Sequence, residues 1–292
     1  MNCLEILDQE NGTDHIKENM ILGQPPKMCN SKIIFKGKGN IFFCEANVQL
    51  SNSNIVFNGD NSLIYLSSNR SIYYLNTTIN HDSVFYMGKD NYMNGKLSVI
   101  LSEQKNILIG SEGLFSFSIW LRTADPHLIY DAHTKRRIND SRSIYIGDHA
   151  WIGQGALILK GTQIGSGSII GAQSVVSGKT IESNTSYAGN PAKKIRGDIF
   201  FTGKSVHGYR QKETEKVAVF EGEDYIYQQS ADTLSFMDIE SKLTSLSFAK
   251  DKLKYLMATL DRGKNRFYIG KQAYRKSGDI LRESIFFKKR LR

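Results

Sequence analysis

An aliphatic side chain returns at every sixth position at Ile146, Ile152, Ile158, Ile164, Ile170 and Val176, and few folds accept that period. A helix repeats a face after three or four residues and a strand after two, so neither alone explains six. The fifth slot of each unit is small throughout (Ala150, Ala156, Thr162, Ser168, Ser174, Thr180), and glycine fills the second at Gly147, Gly153, Gly165 and Gly171. Short flat strands wound into a solenoid satisfy all three regularities. Each aliphatic knob lies beneath its equivalent in the next coil, the small residue sits where the chain bends, and glycine relieves backbone crowding beside it. The expected class is mainly β, a parallel β-helix of hexapeptide repeats.

From Ser31 to about Leu101 a looser version of the design appears, with β-branched and aromatic bursts between Asn, Ser and Gly turns. Asn40-Ile41, Asn47-Val48 and Asn54-Ile55 recur at seven. Residues 107–118 restore the regular unit, and Leu121 to Arg142 break it with a polar excursion that reads as a loop. After Arg196 the period ends. The expected organisation is an N-terminal segment, 1–30, a β-helix domain, 31–196, with a functional loop at 121–143, and a basic, partly helical α/β extension, 197–292. Within the extension, Val217 to Tyr227 suggests a strand pair around Glu221 and Gly222. Ile239, Leu243, Leu246, Leu253, Met257 and Leu260 suggest one helix capped by Asp232 or Thr233, with an apolar stripe for packing or self-association.

The chain has 292 residues and 40% hydrophobic content, which excludes disorder throughout. Met1 to Asn19 has no basic start followed by an apolar stretch, and no later run approaches the ~18 apolar residues of a membrane span, so the expected compartment is the cytoplasm. Three cysteines (Cys3, Cys29, Cys44) without a CxxC pair suit a reducing environment. The net charge of +9 is concentrated at the end: Asp261 to Arg292 holds eleven Lys and Arg against three acids. Such a run fits a solvated helix face, an acidic polymer or an anionic membrane surface. Ile280 to Arg292 in particular is basic and amphipathic, suited to peripheral membrane contact.

Asp125, His127, Asp131 and His133 form the densest titratable cluster near the repeats. His127 follows Asp125-Pro126, where proline stiffens the chain and a nearby carboxylate would fix the imidazole tautomer, as a general base requires. A solvated loop histidine is the bland alternative. His127, Asp131, His133 and His149 could instead converge on zinc, although no helix presents a ligand pair and no cysteine assists. Trp151 occupies the last slot of its unit, where its indole projects outward as a flat wall. Gly153 and Gly155 would let a ligand approach the backbone. Lys193, Lys194 and Arg196 gather at the end of the repeat in a pattern suited to phosphates.

These segments, ILIGSEGLFS, RTADPHLIYD, IYIGDHAWIG, ILKG, IIGAQSVVSG and AGNPAK, resemble bacterial hexapeptide-repeat O-acetyltransferases acting on polysialic acid and other capsular or cell-surface sugars. The likeness is strong from Ile107 to Arg196, moderate over Ser31 to Asn106 and absent afterwards. It implies a left-handed solenoid and a homotrimer with acetyl-coenzyme A in grooves between subunits. It implies His127 as the catalytic base, Asp125 beside it, and Trp151 as an assisting residue. Coenzyme contacts are implied at Ala172, Pro191, Lys193 and Arg196, with Lys160 a weaker candidate, beside Gly153 from the residue reading above. No metal and no nucleic-acid partner are implied, and the acceptor is a saccharide, acidic polysaccharides included. Leu159 and Ser177 depart from the glycine pattern. Two other classes stay open: a zinc lyase of the γ-carbonic-anhydrase kind and a non-catalytic scaffold.

Overall fold

The computed structural model describes residues 5–8, 10, 13, 16–260 and 263–270. Most strands pair not with their neighbours in sequence but, in parallel, with the strands one coil earlier and later, so three faces of a prism grow side by side. The first face extends from Lys32–Phe35 through Ile119–Arg122 to Val175–Val176. The second runs from Met20–Gly23 through Ile144–Ile146 to Thr180–Ile181. The third begins as a three-stranded sheet, Lys27–Cys29 to Ile72–Tyr73, and continues as a six-stranded one containing Trp151–Ile152. Glu5–Leu7 lies antiparallel on Lys32–Phe35 at one end, and Ala192–Gly197 folds back antiparallel on Thr185–Gly189 at the other.

The hexapeptide array meets the demands of its pattern. Its six aliphatic knobs are at most 1% exposed, and Ile158 lies over Val176 as Ile152 lies over Ile170. Burying each contributes roughly 1.5–3 kcal/mol. Ala150, Ala156, Thr162, Ser168 and Ser174 are buried at the corners. Their hydroxyls bond to main chain across the core: Ser168 donates to the Glu182 carbonyl at 2.8 Å, Thr162 to that of Val176 at 3.2 Å. At Gly153 a Cβ would stand 2.6 Å from the Ala172 nitrogen. Glycine there is required by the next coil.

Ahead of the array the coil is longer. Ile33, Ile55, Thr77, Val99 and Leu121 are successive partners on the first face, and bonded positions lie 22 residues apart, against 18 in the array. The spacing of seven seen at Asn40, Asn47 and Asn54 is therefore a step within one coil, not the repeat itself. Longer strands take up part of the extra length, such as Leu75–Ile79 against Val175–Val176. Asn30, Asn47, Asn52 and Asn61 adopt positive φ, a conformation asparagine tolerates better than most residues, which explains the Asn-rich turns. Parallel stacking starts at Met20, ahead of the expected boundary at Ser31.

Beyond Gly197 the described residues contain helices α1 (Gln211–Lys216), α2 (Phe236–Ser245) and α3 (Ala249–Thr259), and no strand. Val217 to Tyr227 is irregular rather than a strand pair; Phe220 and Tyr225 turn to pack with Phe200. The expected single helix is two. The Asn61 amide reaches from a solenoid corner into the break, donating to the Ser247 carbonyl at 2.6 Å and accepting from the Ala249 N–H at 2.8 Å. Ser235, not Asp232 or Thr233, caps α2. The apolar stripe covers outward side chains of the second face, Tyr65, Tyr86, Leu108 and Tyr145, so it packs on its own chain rather than on a second copy. None of the described helices is long and apolar enough to cross a membrane. Residues 271–292, with the amphipathic Ile280 to Arg292, lie outside the described residues, as does Cys3; Cys29 and Cys44 are free thiols.

Arg266 fastens this cover. Its guanidinium donates to both Asp148 oxygens at 2.7 and 2.9 Å, to the Ser111 hydroxyl at 2.8 Å and to the Leu260 carbonyl. Both charged side chains are buried, so either one alone would be stranded in a poor dielectric. Arg266→Leu is expected to cost about 3–5 kcal/mol in urea unfolding, and adding Asp148→Leu to recover part of that loss. An unchanged midpoint for the single variant would show that the pair does not anchor the cover.

Candidate active site

Where other coils turn directly from the first face to the second, residues 123–143 leave the prism at that edge. The size of the excursion shows in the bond from the Asn106 N–H to Ser143 Oγ, 37 residues on. The loop is folded. Asp131 Oδ1 accepts from the N–H groups of His133 and Thr134, at 3.1 and 2.7 Å, and from the Thr134 hydroxyl at 2.8 Å. Tyr130 and Arg137 bridge behind that turn.

Adjacent coils grip the loop from both sides. On the preceding coil, Glu103 receives two bonds from Arg137, at 2.7 and 2.8 Å, and one from the Ser141 hydroxyl. On the following coil, Lys160 donates to Asp125 Oδ2 at 2.6 Å and to the Asn139 carbonyl at 3.0 Å. Hydrogen bonds from Arg137 and Ser141 bring the Glu103 carboxyl down to about 2. The bond from Lys160 holds Asp125 below the usual range against the opposing effect of partial burial. Lys160, expected at the coenzyme, is thus engaged beneath the loop.

His127 is exposed, and its imidazole has no hydrogen-bond partner among the described residues. Neither carboxylate expected to orient the ring does so within this chain: Asp125 is held by Lys160 and Asn139, and Asp131 by its own turn. What the chain fixes is the backbone around the ring. The Asn139 side chain donates to the His127 carbonyl at 2.8 Å.

Trp151 lies on the third face, 41% exposed, between its strand partners Leu114 and Ile169. Phe201 stands 5.7 Å from it and stacks on His149 at 4.1 Å; Tyr225 covers the other side of that imidazole at 4.7 Å. Sequence reasoning missed Phe201 and Tyr225, because both come from the extension where the repeat gives no register. His149 Nε2 is paired with the Phe201 carbonyl at 3.0 Å and the ring is buried, so it does not join His127, Asp131 and His133 as a ligand set. Among the described residues no group of three or more His, Cys, Asp or Glu is placed to hold a metal.

Ala172 and Pro191 are exposed at turns leaving the third face, one coil apart. Lys193 and Arg196 are exposed on the closing strand, while Lys194 pairs with Glu182 at 3.4 Å. His127 and Trp151 are not brought together by a single chain. The loop leaves at the edge between the first and second faces, and the third face lies across the prism from that edge.

Residues 143–178 match the family of bacterial transferase hexapeptides (six repeats). A polysialic acid O-acetyltransferase of Escherichia coli O1:K1 / APEC is 33% identical over 52 residues, which is 18% of this chain and 17% of that protein. The chain thus aligns with about a sixth of the curated relative's length. The crystal structure of the polySia-specific acetyltransferase NeuO matches with a TM-score of 0.58 and 28% identity, covering 69% of this chain and 94% of that one. The polysialic acid O-acetyltransferase OatWY matches with a TM-score of 0.52 over 68% of this chain and 97% of that one; at 22% identity it shows the shared fold. The solenoid is thus the scaffold of known acetyltransferases.

The loop tethers have a definite pH signature. Glu103 releases its proton more readily in the fold than in the open chain, so its contribution is complete above the ordinary glutamate range, declines as pH falls and is gone near 2. Hydrogen exchange of the 123–143 amides, corrected for intrinsic rates, should show the loop equally protected at pH 7 and pH 5. Glu103→Gln should loosen it at pH 7 and match the wild type near pH 2. A loop equally protected in both proteins at pH 7 would refute the tether.

Proposed function

We propose that this chain is an O-acetyltransferase that moves acetyl from acetyl-coenzyme A to a hydroxyl of a bacterial capsular or cell-surface polysaccharide, with polysialic acid as the leading acceptor. The observation that carries the proposal is the likeness to a polySia-specific acetyltransferase over 94% of that protein's length. The braced loop adds chemical support. An exposed imidazole free of internal partners, on a mount held by two coils, is suited to accept a proton from a substrate that arrives from solvent.

In this reading His127 takes the proton of the sugar hydroxyl as its oxygen attacks the thioester carbonyl. The tetrahedral intermediate collapses, the C–S bond breaks, and the imidazolium returns the proton to the departing thiolate. Neither a metal nor a covalent enzyme intermediate is required. The Trp151 indole N–H or main-chain N–H groups at a corner would stabilise the oxyanion. Ala172 and Pro191 would border the pantetheine arm, and Lys193 and Arg196 would meet the coenzyme phosphates.

The same reading calls for a homotrimer. His127 and Trp151 lie on opposite sides of one prism, and among the described residues the helices of the extension cover the second face, not the first or the third. A three-fold arrangement would place the loop of one subunit against Trp151 of the next. The compartment is the cytoplasm, where the basic residues of 271–292 would favour an anionic acceptor or the inner membrane surface.

The test supplies acetyl-coenzyme A with a panel of bacterial oligosaccharides, sialic acid polymers included, and reads ester formation by mass. His127→Ala should lower turnover by about 10²- to 10⁴-fold while leaving coenzyme affinity nearly unchanged; full turnover would refute the base assignment. Co-expressing His127→Ala and Trp151→Ala chains should raise activity above the average of the two variants assayed alone, with roughly a quarter of the shared sites intact at equal mixing. No recovery would argue against a site built from two subunits.

A further inference from the structure

We propose that Asn139 is a positioning residue for His127, setting the reach of the imidazole through the backbone rather than by touching the ring. The proposal rests on the reading of His127 as the proton acceptor. Asn139 is 6% exposed although it lies within a protruding loop, and all the hydrogen-bonding capacity of its side chain is used. Nδ2 donates to the His127 carbonyl at 2.8 Å and to Asp125 Oδ2 at 3.2 Å. Oδ1 accepts from the Ile129 N–H at 2.9 Å and from Arg137 Nε at 3.2 Å. The amide orientation follows from its partners, since two oxygens face the nitrogen and two N–H groups face the oxygen.

One side chain therefore holds three alternate residues, Asp125, His127 and Ile129, with the fixed φ of Pro126 between the first two. Its own main-chain carbonyl accepts from Lys160 Nζ at 3.0 Å and Arg137 Nη2 at 3.4 Å. These are the two cations through which the flanking coils hold the loop. Asn139 is thus the point where both grips converge on the segment that bears the imidazole. Together these bonds leave His127 little freedom beyond its side-chain torsions. An error of about 1 Å in a reacting group can cost on the order of 10²-fold in rate.

Asn139→Asp is the discriminating variant. It keeps the size and the acceptor for Ile129 and Arg137, but replaces the donor with an oxygen facing two oxygens. Turnover in the acetyl-transfer assay should fall roughly 10- to 100-fold, with KM for acetyl-coenzyme A unchanged; faster exchange at the Ile129 amide is expected only of Asn139→Ala, which removes that amide's acceptor. Asn139→Ala should lose turnover alike, and Lys160→Met should show a smaller loss of the same kind. In a His127→Ala background, Asn139→Asp should cost nothing further.

Wild-type turnover in Asn139→Asp, alongside an inactive His127→Ala, would overturn the positioning role and leave the base assignment standing. An equal loss with and without His127 would overturn it too, since Asn139 would then act by another route. Full turnover in His127→Ala would remove both claims together.

Discussion

Everything in this molecule depends on parallel hydrogen bonding between coils, which fixes successive turns at the spacing of adjacent strands, about 4.8 Å. At that distance a side chain in the wrong slot collides with backbone, as the 2.6 Å approach at Gly153 shows. Outward positions are free to vary, and the turns at an edge are free to lengthen. An insertion can therefore leave the prism at an edge, but its two ends return to positions that the stack has already set.

That constraint gives the loop at 123–143 its stiffness. Its stems stand between two other corners of the same edge, so Glu103 from one coil and Lys160 from the next lie within reach of residues far along the loop. Exposed ion pairs are individually weak. Here they act together with Asn139, and they close a short path between stems that the strands already hold. The solenoid thus turns a polar excursion into a mount for an imidazole.

The extension brings a second kind of order. Its helices cover the second face with Ile239, Leu243, Leu253, Leu256 and Leu260, and Arg266 locks them to the corner at Asp148. In doing so it places Phe201 and Tyr225 around His149, beside Trp151. A segment outside the repeat therefore shapes the surroundings of a residue inside it.

The sequence alone determined the coil interior, because a knob every six residues with small corner residues has one physical solution, and it marked the 121–143 excursion as the place where chemistry could sit. It misread the early coils, whose 22-residue register is written in paired strands rather than in any short spacing. It also read Lys160 and Gly153 as groups facing a ligand and Asp125 as the carboxylate that orients His127. Only the tertiary structure decided that Lys160 and Asp125 bind each other, that Gly153 faces the next coil, and that the apolar stripe breaks at Asn61 and packs on its own chain. Those outcomes depend on contacts between residues tens to nearly two hundred positions apart, which local pattern does not encode.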